Sequence, residues 1–146
     1  MYTFAIGFYN LLIHIASINN EKARLWVRGR KNVFDELFLQ CKSSDKYIWV
    51  HCASLGEFEQ ARAFIELLKQ KKPEFKIVLT FFSPSGYEVR KNYPSADIIT
   101  YLPIDTPKNA KRFLSIVHPQ YIFFIKYEYW FNYINHAYKQ HIPFYV

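Results

Sequence analysis

The sequence has few cysteines and few glycines, and these two shortages exclude several classes of protein. Its 146 residues include two cysteines, Cys41 and Cys52, which do not form a CxxC pair. A disulfide-rich secreted fold and a cysteine-ligated structural zinc are therefore excluded, and a reducing compartment is indicated. The four glycines complete no GxGxxG, P-loop, HExxH or nucleophile-elbow motif, so the common dinucleotide, NTPase, metalloprotease and hydrolase sites lack support.

Acidic residues are also scarce relative to basic ones. The chain has 12 Asp and Glu against 19 Lys and Arg, which gives a formal net charge of +7. This excess favours an anionic partner, which could be nucleic acid, an acidic membrane surface or a phosphorylated substrate. The hydrophobic fraction of 51% excludes intrinsic disorder, and the length suffices for one domain with a real core.

The apolar run at residues 1–18 is marginal in length for a membrane-spanning helix, which needs about 20 residues, and Asn10 and His14 interrupt it. On a helix the large apolar side chains share one face, at Phe4, Phe8, Leu11, Leu12 and Ile15. Basic residues follow directly, at Lys22, Arg24, Arg28, Arg30 and Lys31. The pattern is typical of a helix in an anionic membrane interface, or of an ordinary helix packed on a protein surface.

Strand and helix patterns alternate after a polar connection that we expect to be irregular, at residues 32–46. Five apolar runs have the length and composition of strands: Tyr47–His51, Lys76–Phe81, Asp97–Leu102, Tyr121–Ile125 and Pro143–Val146. Helical periodicity separates them, at residues 55–72, 84–92, 106–117 and 129–140. This alternation predicts βαβ units, and therefore an α/β fold with a parallel sheet.

Polar side chains follow four of the predicted strands, at the point where each strand ends. The turns that carry them contain Ser54, Gly56 and Glu57; Ser83, Ser85 and Gly86; Asp105; and Lys126 and Glu128. In a parallel sheet all of these turns lie at the carboxyl edge, where open α/β sheets bind ligands. Two of the turns carry Gly and Ser before a helix, so their backbone N–H groups could receive an anion.

Structural roles for the same residues stay open. Ser54 and Glu57 have the spacing of a capping box, in which Glu57 only bonds back to the start of its own helix. Ser83 followed by a proline is likewise an N-cap, and Asp105 is placed to cap the helix over residues 106–117. A basic, aromatic-rich module that binds nucleic acid is a further alternative. Its aromatics would be expected among basic residues, whereas here they lie in apolar runs.

Five segments resemble one family. His51–Glu57, HCASLGE, is similar to the HAASVGE motif of the 3-deoxy-D-manno-octulosonic acid (Kdo) transferases of lipid A assembly. Thr80–Tyr87 is similar to that family's TxxSxSGY, and Tyr101–Asp105 to its YxPxD. Arg28–Asn32, RGRKN, resembles the membrane-proximal start of the family. Lys126–Asn132, KYEYWFN, is similar to its ETExWPN, but with a lysine in place of the first glutamate and a phenylalanine in place of the proline.

The resemblance implies the N-terminal half of a GT-B glycosyltransferase, with residues 1–31 a membrane-proximal helix and basic flank and residues 32–146 a Rossmann-like acceptor domain. It implies an inverting transfer of Kdo from CMP-Kdo to a tetra-acylated, phosphorylated lipid A precursor, at the cytoplasmic face of the inner membrane. Glu57 would be the general base, and no metal or cofactor is expected. The implied acceptor-binding residues are Ser54, Gly56, Ser83, Ser85, Gly86, Asp105 and Glu128. The implied membrane or phosphate contacts are Arg28, Arg30 and Lys31.

The resemblance leaves some points open. The replacement of a family glutamate by Lys126 means that no role of that carboxylate can be carried over. Another GT-B glycosyltransferase with a membrane acceptor is the main rival, and we expect no nucleic-acid partner. Because the sequence stops on a strand pattern at Ile142–Val146, we expect a donor-binding half to be missing and the isolated chain to be inactive.

Overall fold

A computed structural model describes residues 1–126 and 128–146. In this part of the chain five strands form one sheet, and seven helices flank it. The elements are α1 Tyr2–Ala16, α2 Glu21–Arg30, α3 Val33–Gln40, β1 Lys46–Cys52, α4 Leu55–Lys71, β2 Phe75–Phe81, α5 Pro84–Arg90, β3 Ile98–Tyr101, α6 Pro107–Val117, β4 Tyr121–Phe124, α7 Phe131–Lys139 and β5 Phe144–Tyr145. The predicted α/β fold is confirmed.

All strand pairs of the sheet are parallel, and the strand order is β3-β2-β1-β4-β5. The chain starts at the centre with β1, moves outward through β2 to β3, and then returns to pair β4 with the other side of β1. His51, near the end of β1, lies opposite Thr80 of β2 and Phe124 of β4. The order therefore reverses between β1 and β4, at the middle of the sheet.

Strand β1 is buried on both faces, which explains why it reads as a continuous apolar run. Ile48, Val50 and Cys52 face the core beneath α4, whose buried residues are Phe58, Ala61 and Ile65. Tyr47 and Trp49 face the core on the other side, beneath α3, α6 and α7. Trp49 anchors that second core, with its ring centroid 4.6 Å from Phe113 and 5.0 Å from Phe124.

The second core contains a buried polar chain of three residues. The Trp49 indole N–H donates to the Thr80 hydroxyl at 2.8 Å, and Thr80 Oγ1 lies 2.8 Å from Nδ1 of His51. With its oxygen accepting from Trp49, the Thr80 hydroxyl can donate to Nδ1 of a neutral imidazole. Burial lowers the pKa of His51 to about 3, so this histidine is neutral in the folded chain at neutral pH.

Two local predictions are wrong. Residues 32–46 are not an irregular connection throughout, because α3 occupies Val33–Gln40 and buries Val33 and Leu37 against the sheet. These two residues are one helical turn apart, which is enough for a short helix to bury one stripe against the sheet. Asp105 does not cap α6; the N-cap is Thr106, whose side chain accepts from the Asn109 N–H at 3.2 Å.

The helix predicted within residues 1–18 is present as α1, and it lies on the carboxyl edge of the sheet. The Tyr2 hydroxyl donates to Asp105 at 2.6 Å, and the ring of Tyr9 stacks against Phe82 at 6.2 Å. The basic flank is a helix as well, α2, which Asn20 caps by accepting from the Ala23 N–H at 2.9 Å. Within residues 1–126 and 128–146, no helix combines the length and the apolar character needed to cross a membrane.

The buried His51 makes the fold sensitive to acid. Its pKa is lowered on folding, so below its ordinary value of about 6.5 the unfolded chain binds a proton more readily. Stability should therefore fall as the pH drops from about 6.5 toward 3, by up to about 1.4 kcal/mol per pH unit. We expect His51→Asn, which keeps an acceptor near Thr80, to flatten this dependence in denaturant unfolding between about pH 4 and 7. Parallel stability curves for the two proteins would contradict this account.

Candidate active site

The turns after β1, β2 and β4 meet where the strand order reverses. The N–H of Ser83, after β2, donates to the carbonyl of Ala53, after β1, at 2.7 Å. On the other side the N–H of Ile125, after β4, donates to the carbonyl of His51 at 3.0 Å. Open parallel sheets bind ligands outside the carboxyl ends of their strands at such a reversal. This place in the fold is therefore the candidate site.

Glu57 sits in the first turn of α4, which points its N-terminus toward the candidate site. Ser54 is the N-cap, with its side chain accepting from the Gly56 N–H at 3.3 Å and its hydroxyl donating to the Glu57 carboxylate. The pKa of Glu57 is lowered mainly by the hydrogen bond from the Ser54 hydroxyl. Backbone N–H groups and the positive charge of Lys126 lower it further. Glu57 is thus both the hydrogen-bond partner of the N-cap residue and a partly exposed, ionised carboxylate.

The turn after β4 brings a second carboxylate to the same place. Glu128 is half-buried, and its pKa is raised, first by burial and then by the negative charge of Glu57. Lys126 is exposed and has a left-handed backbone, with φ of 62°. Two neighbouring carboxyl groups whose pKa values move in opposite directions are a frequent mark of functional sites.

The turn after β2 contributes two hydroxyl groups. Ser83 caps α5 by accepting from the Ser85 N–H at 3.3 Å, and the two side-chain oxygens lie 3.0 Å apart. Both side chains are half-buried, next to the turn that carries Glu57. Gly86 has a packing reason instead, because a Cβ there would lie 2.3 Å from the Phe81 ring.

Asp105 is held inside the protein and not in the open part of the site. Its carboxylate accepts from the Tyr2 hydroxyl and from the backbone N–H groups of Asn132 at 3.1 Å and Tyr133 at 3.2 Å. Asp105 therefore caps α7 from 27 residues away and ties α1 to the sheet edge. Burial raises its pKa, while these hydrogen bonds act in the opposite direction.

A sequence profile of the 3-deoxy-D-manno-octulosonic-acid transferase (kdotransferase) family matches residues 23–146. The chain belongs to this family. The Kdo transferase of Haemophilus influenzae is 33% identical over 100 residues, which cover 68% of this chain and 23% of that protein. The Aquifex aeolicus enzyme is 36% identical over 96 residues, which cover 65% and 26%. The Rickettsia bellii enzyme is 30% identical over 138 residues, which cover 94% and 31%.

The chain spans about a quarter of the length of the curated relatives it matches. Its parallel sheet and flanking helices agree with the N-terminal half of a glycosyltransferase. Within the described residues, no three His, Cys, Asp or Glu side chains are grouped so that they could hold a metal ion.

The three basic residues near the start of the family match lie in two different environments. Arg28 and Lys31 are exposed at the end of α2. Arg30 turns inward and donates to the carbonyls of Phe82 at 2.7 Å and Leu102 at 2.9 Å. Arg30 was predicted to be a membrane or phosphate contact like the exposed pair, because these two carbonyl partners are 52 and 72 residues away in the sequence.

The glycine that precedes Arg30 is a local feature of the sequence that could have distinguished Arg30 from the exposed Arg28 and Lys31. Gly29 lies inside α2, and a Cβ at this position would be 2.1 Å from the ring of Tyr101. A glycine inside a helix costs up to about 1 kcal/mol, so its presence indicates a close approach. The approach brings the next residue, Arg30, against the sheet edge.

Removing the Asp105 carboxylate should destabilise the protein. Asp105→Ala leaves two backbone N–H groups and the Tyr2 hydroxyl without their acceptor, at a cost of about 1–3 kcal/mol for each buried group. We expect a loss of at least about 2 kcal/mol in urea unfolding. The matched control is Asp35→Ala, since Asp35 is exposed and lies 3.6 Å from Arg112; its effect should stay within about 0.5 kcal/mol. Similar losses in both variants would contradict the capping role.

Proposed function

We propose that this chain is the acceptor-binding half of an inverting GT-B glycosyltransferase that transfers Kdo from CMP-Kdo to a phosphorylated lipid A precursor. The donor would bind to a second half outside this chain. One observation carries the proposal: Glu57 is an ionised, partly exposed carboxylate at the point where the strand order reverses. The three relatives of this chain described above are named Kdo transferases, which supports the proposal.

Glu57 would act as the general base. The primary hydroxyl of the acceptor attacks the anomeric carbon of Kdo, its proton passes to the Glu57 carboxylate, and the bond to CMP breaks with its electron pair leaving on the phosphate. A single displacement of this kind inverts the anomeric centre. Because CMP is a good leaving group, the acceptor half must supply chiefly a proton acceptor and correct positioning. The hydrogen bond from Ser54 holds the carboxylate in one orientation.

Side chains of the neighbouring turns would bind the acceptor sugar. The hydroxyls of Ser83 and Ser85 can donate to or accept from sugar hydroxyls, and the Gly56 amide lies at the open N-terminus of α4. Glu128, with its raised pKa, is suited to a hydrogen bond with a sugar hydroxyl beside Glu57. Asp105 would contribute by fixing α7, and through it the segment that carries Glu128.

Helix α1 would hold the protein at the cytoplasmic face of the inner membrane. It contacts the domain through one side, yet exposes large apolar side chains on the other, at Phe4, Phe8, Leu11, Leu12 and Ile15. Burying such a face in a bilayer interface is favourable, and the exposed cations Arg28 and Lys31 suit anionic phosphates. A groove of about 350 Å³ between α1, α2 and the Ser83 turn offers room for part of an acyl chain.

Glu57→Gln should abolish transfer in the longer protein that carries this chain together with its donor half. The amide keeps the size of the side chain but cannot take a proton, so we expect turnover to fall by about 10²-fold or more. Transfer from CMP-Kdo to a tetra-acylated lipid A precursor measures the effect, with UDP-sugars as rival donors.

Glu59→Gln is the matched control for this test. Glu59 lies on the same helix, but its carboxylate is exposed and pairs with Arg90 and Arg62. Turnover should be unchanged in this variant. Near-normal turnover by Glu57→Gln would refute the base assignment, and transfer from a UDP-sugar alone would refute the donor.

Charges on the outer face of α1 should release the protein from membranes. We expect the double variant Leu11→Glu and Ile15→Glu to lose most of its co-sedimentation with vesicles of anionic phospholipid, because both side chains are more than half exposed and would no longer partition into the interface. A single added negative charge in Leu67→Glu, at a half-exposed leucine on α4, should have little effect. Equal release by the two changes would show that α1 is not the membrane contact.

A further inference from the structure

We propose that Arg30 is a positioning residue, whose buried guanidinium fixes the Ser83 turn and, through that turn, the Glu57 turn. The catalytic part of this inference depends on the proposed role of Glu57. The structural part, the coupling of Arg30 to the carboxylate, can be tested without any enzyme activity.

The guanidinium of Arg30 connects three segments of the chain. Its Nη2 donates to the carbonyl of Phe82 at 2.7 Å, its Nε to that of Leu102 at 2.9 Å, and its Nη1 to that of Trp26 at 3.1 Å. Phe82 and Leu102 directly follow β2 and β3, and Trp26 belongs to α2. A planar fork of five N–H donors can serve three carbonyls in different directions, whereas an ammonium group cannot reproduce this arrangement.

Aromatic rings surround the same cation. The Arg30 Cζ atom lies 3.8 Å from the ring centroid of Trp26, 4.8 Å from that of Phe82 and 4.9 Å from that of Tyr101. Among the described residues, no carboxylate lies within ion-pair distance of Arg30. Carbonyl dipoles and ring faces therefore compensate the charge. A buried cation costs free energy unless its surroundings compensate it well. The three carbonyls and three rings around Arg30 supply this compensation.

Gly29 makes the arrangement possible. A side chain at this position would collide with Tyr101, as its Cβ would lie 2.1 Å from the ring. With glycine there, α2 comes close enough to the sheet edge for the next side chain to reach past it. The pair Gly29–Arg30 thus works as one unit, in which the glycine allows the approach and the arginine makes the bonds.

The bonded path from Arg30 to Glu57 is short. Arg30 holds the carbonyl of Phe82, and the next residue, Ser83, donates its N–H to the carbonyl of Ala53 at 2.7 Å. Ala53 is followed by Ser54, whose hydroxyl donates to Glu57. A displaced Phe82 carbonyl would therefore move the N-cap that orients the carboxylate, although Arg30 itself touches neither reactant.

The test is Arg30→Lys, which keeps the positive charge but cannot hold all three carbonyls. In this chain we expect the NMR-measured pKa of Glu57 to rise toward its ordinary value, because the hydrogen bond from Ser54 is its main depressing cause. In the longer protein we expect kcat to fall on the order of 10-fold or more with KM little changed, since small misplacements of a reacting group are costly. Arg62→Lys, an exposed arginine on the helix of Glu57, is the control and should change neither quantity.

A second variant protects the test against a failure to fold. Trp26→Phe keeps an apolar ring but reduces the face on which the guanidinium stacks, so the pKa of Glu57 should move in the same direction by less. A folded variant with lower stability but an unchanged Glu57 pKa and unchanged kcat would overturn the proposal and leave Arg30 a structural residue alone. If instead Glu57→Gln remained active, the base assignment would fail while the Glu57 titration still tested Arg30.

Discussion

Four helices of this chain begin at the carboxyl edge of one sheet, and each must satisfy its first backbone N–H groups. The polar residues of the edge meet this requirement: Ser54 caps α4, Ser83 caps α5, Thr106 caps α6 and Asp105 caps α7. Hydrogen bonding at helix N-termini also favours negative charge, which keeps the Glu57 carboxylate ionised. Capping and chemistry are therefore not competing explanations of Glu57, because the cap supplies the orientation and charge that a base needs.

The sequence was sufficient for the fold wherever neighbouring residues decide the structure. The strand runs and the helices between them could be predicted from periodicity, and Ser54 and Ser83 from cap spacing, whereas the short helix α3 was missed. It was insufficient where a contact joins distant segments. The carboxylate of Asp105 binds backbone N–H groups 27 and 28 residues away and the Tyr2 hydroxyl 103 residues away. The guanidinium of Arg30 binds carbonyls up to 72 residues away. No local pattern distinguishes such an aspartate from the cap of the helix that follows it.

The pKa values of the two carboxylates of the site move in opposite directions because their immediate surroundings differ. Glu57 has a lowered pKa because a hydroxyl and backbone N–H groups bind its charged form, whereas Glu128 has a raised pKa because burial and the charge of Glu57 oppose ionisation. Lys126 adds a positive charge that favours the ionised form of Glu57. A third carboxylate in place of Lys126 would instead oppose the ionisation of Glu57.

In the proposed function, helix α1 would serve the site and a membrane together. Its inner side is tied to the sheet edge by Tyr2 and Tyr9, which contact Asp105 and Phe82. Its outer side is apolar and exposed. Because Tyr9 contacts the turn after β2, and that turn is hydrogen-bonded to the turn before Glu57, a bilayer that held the outer side would also set the height of the proposed site above the lipid. The proposed acceptor, with acyl chains in the bilayer and a hydroxyl in its head group, would need this fixed height, since the hydroxyl would have to reach the carboxylate while the chains stay in an apolar medium.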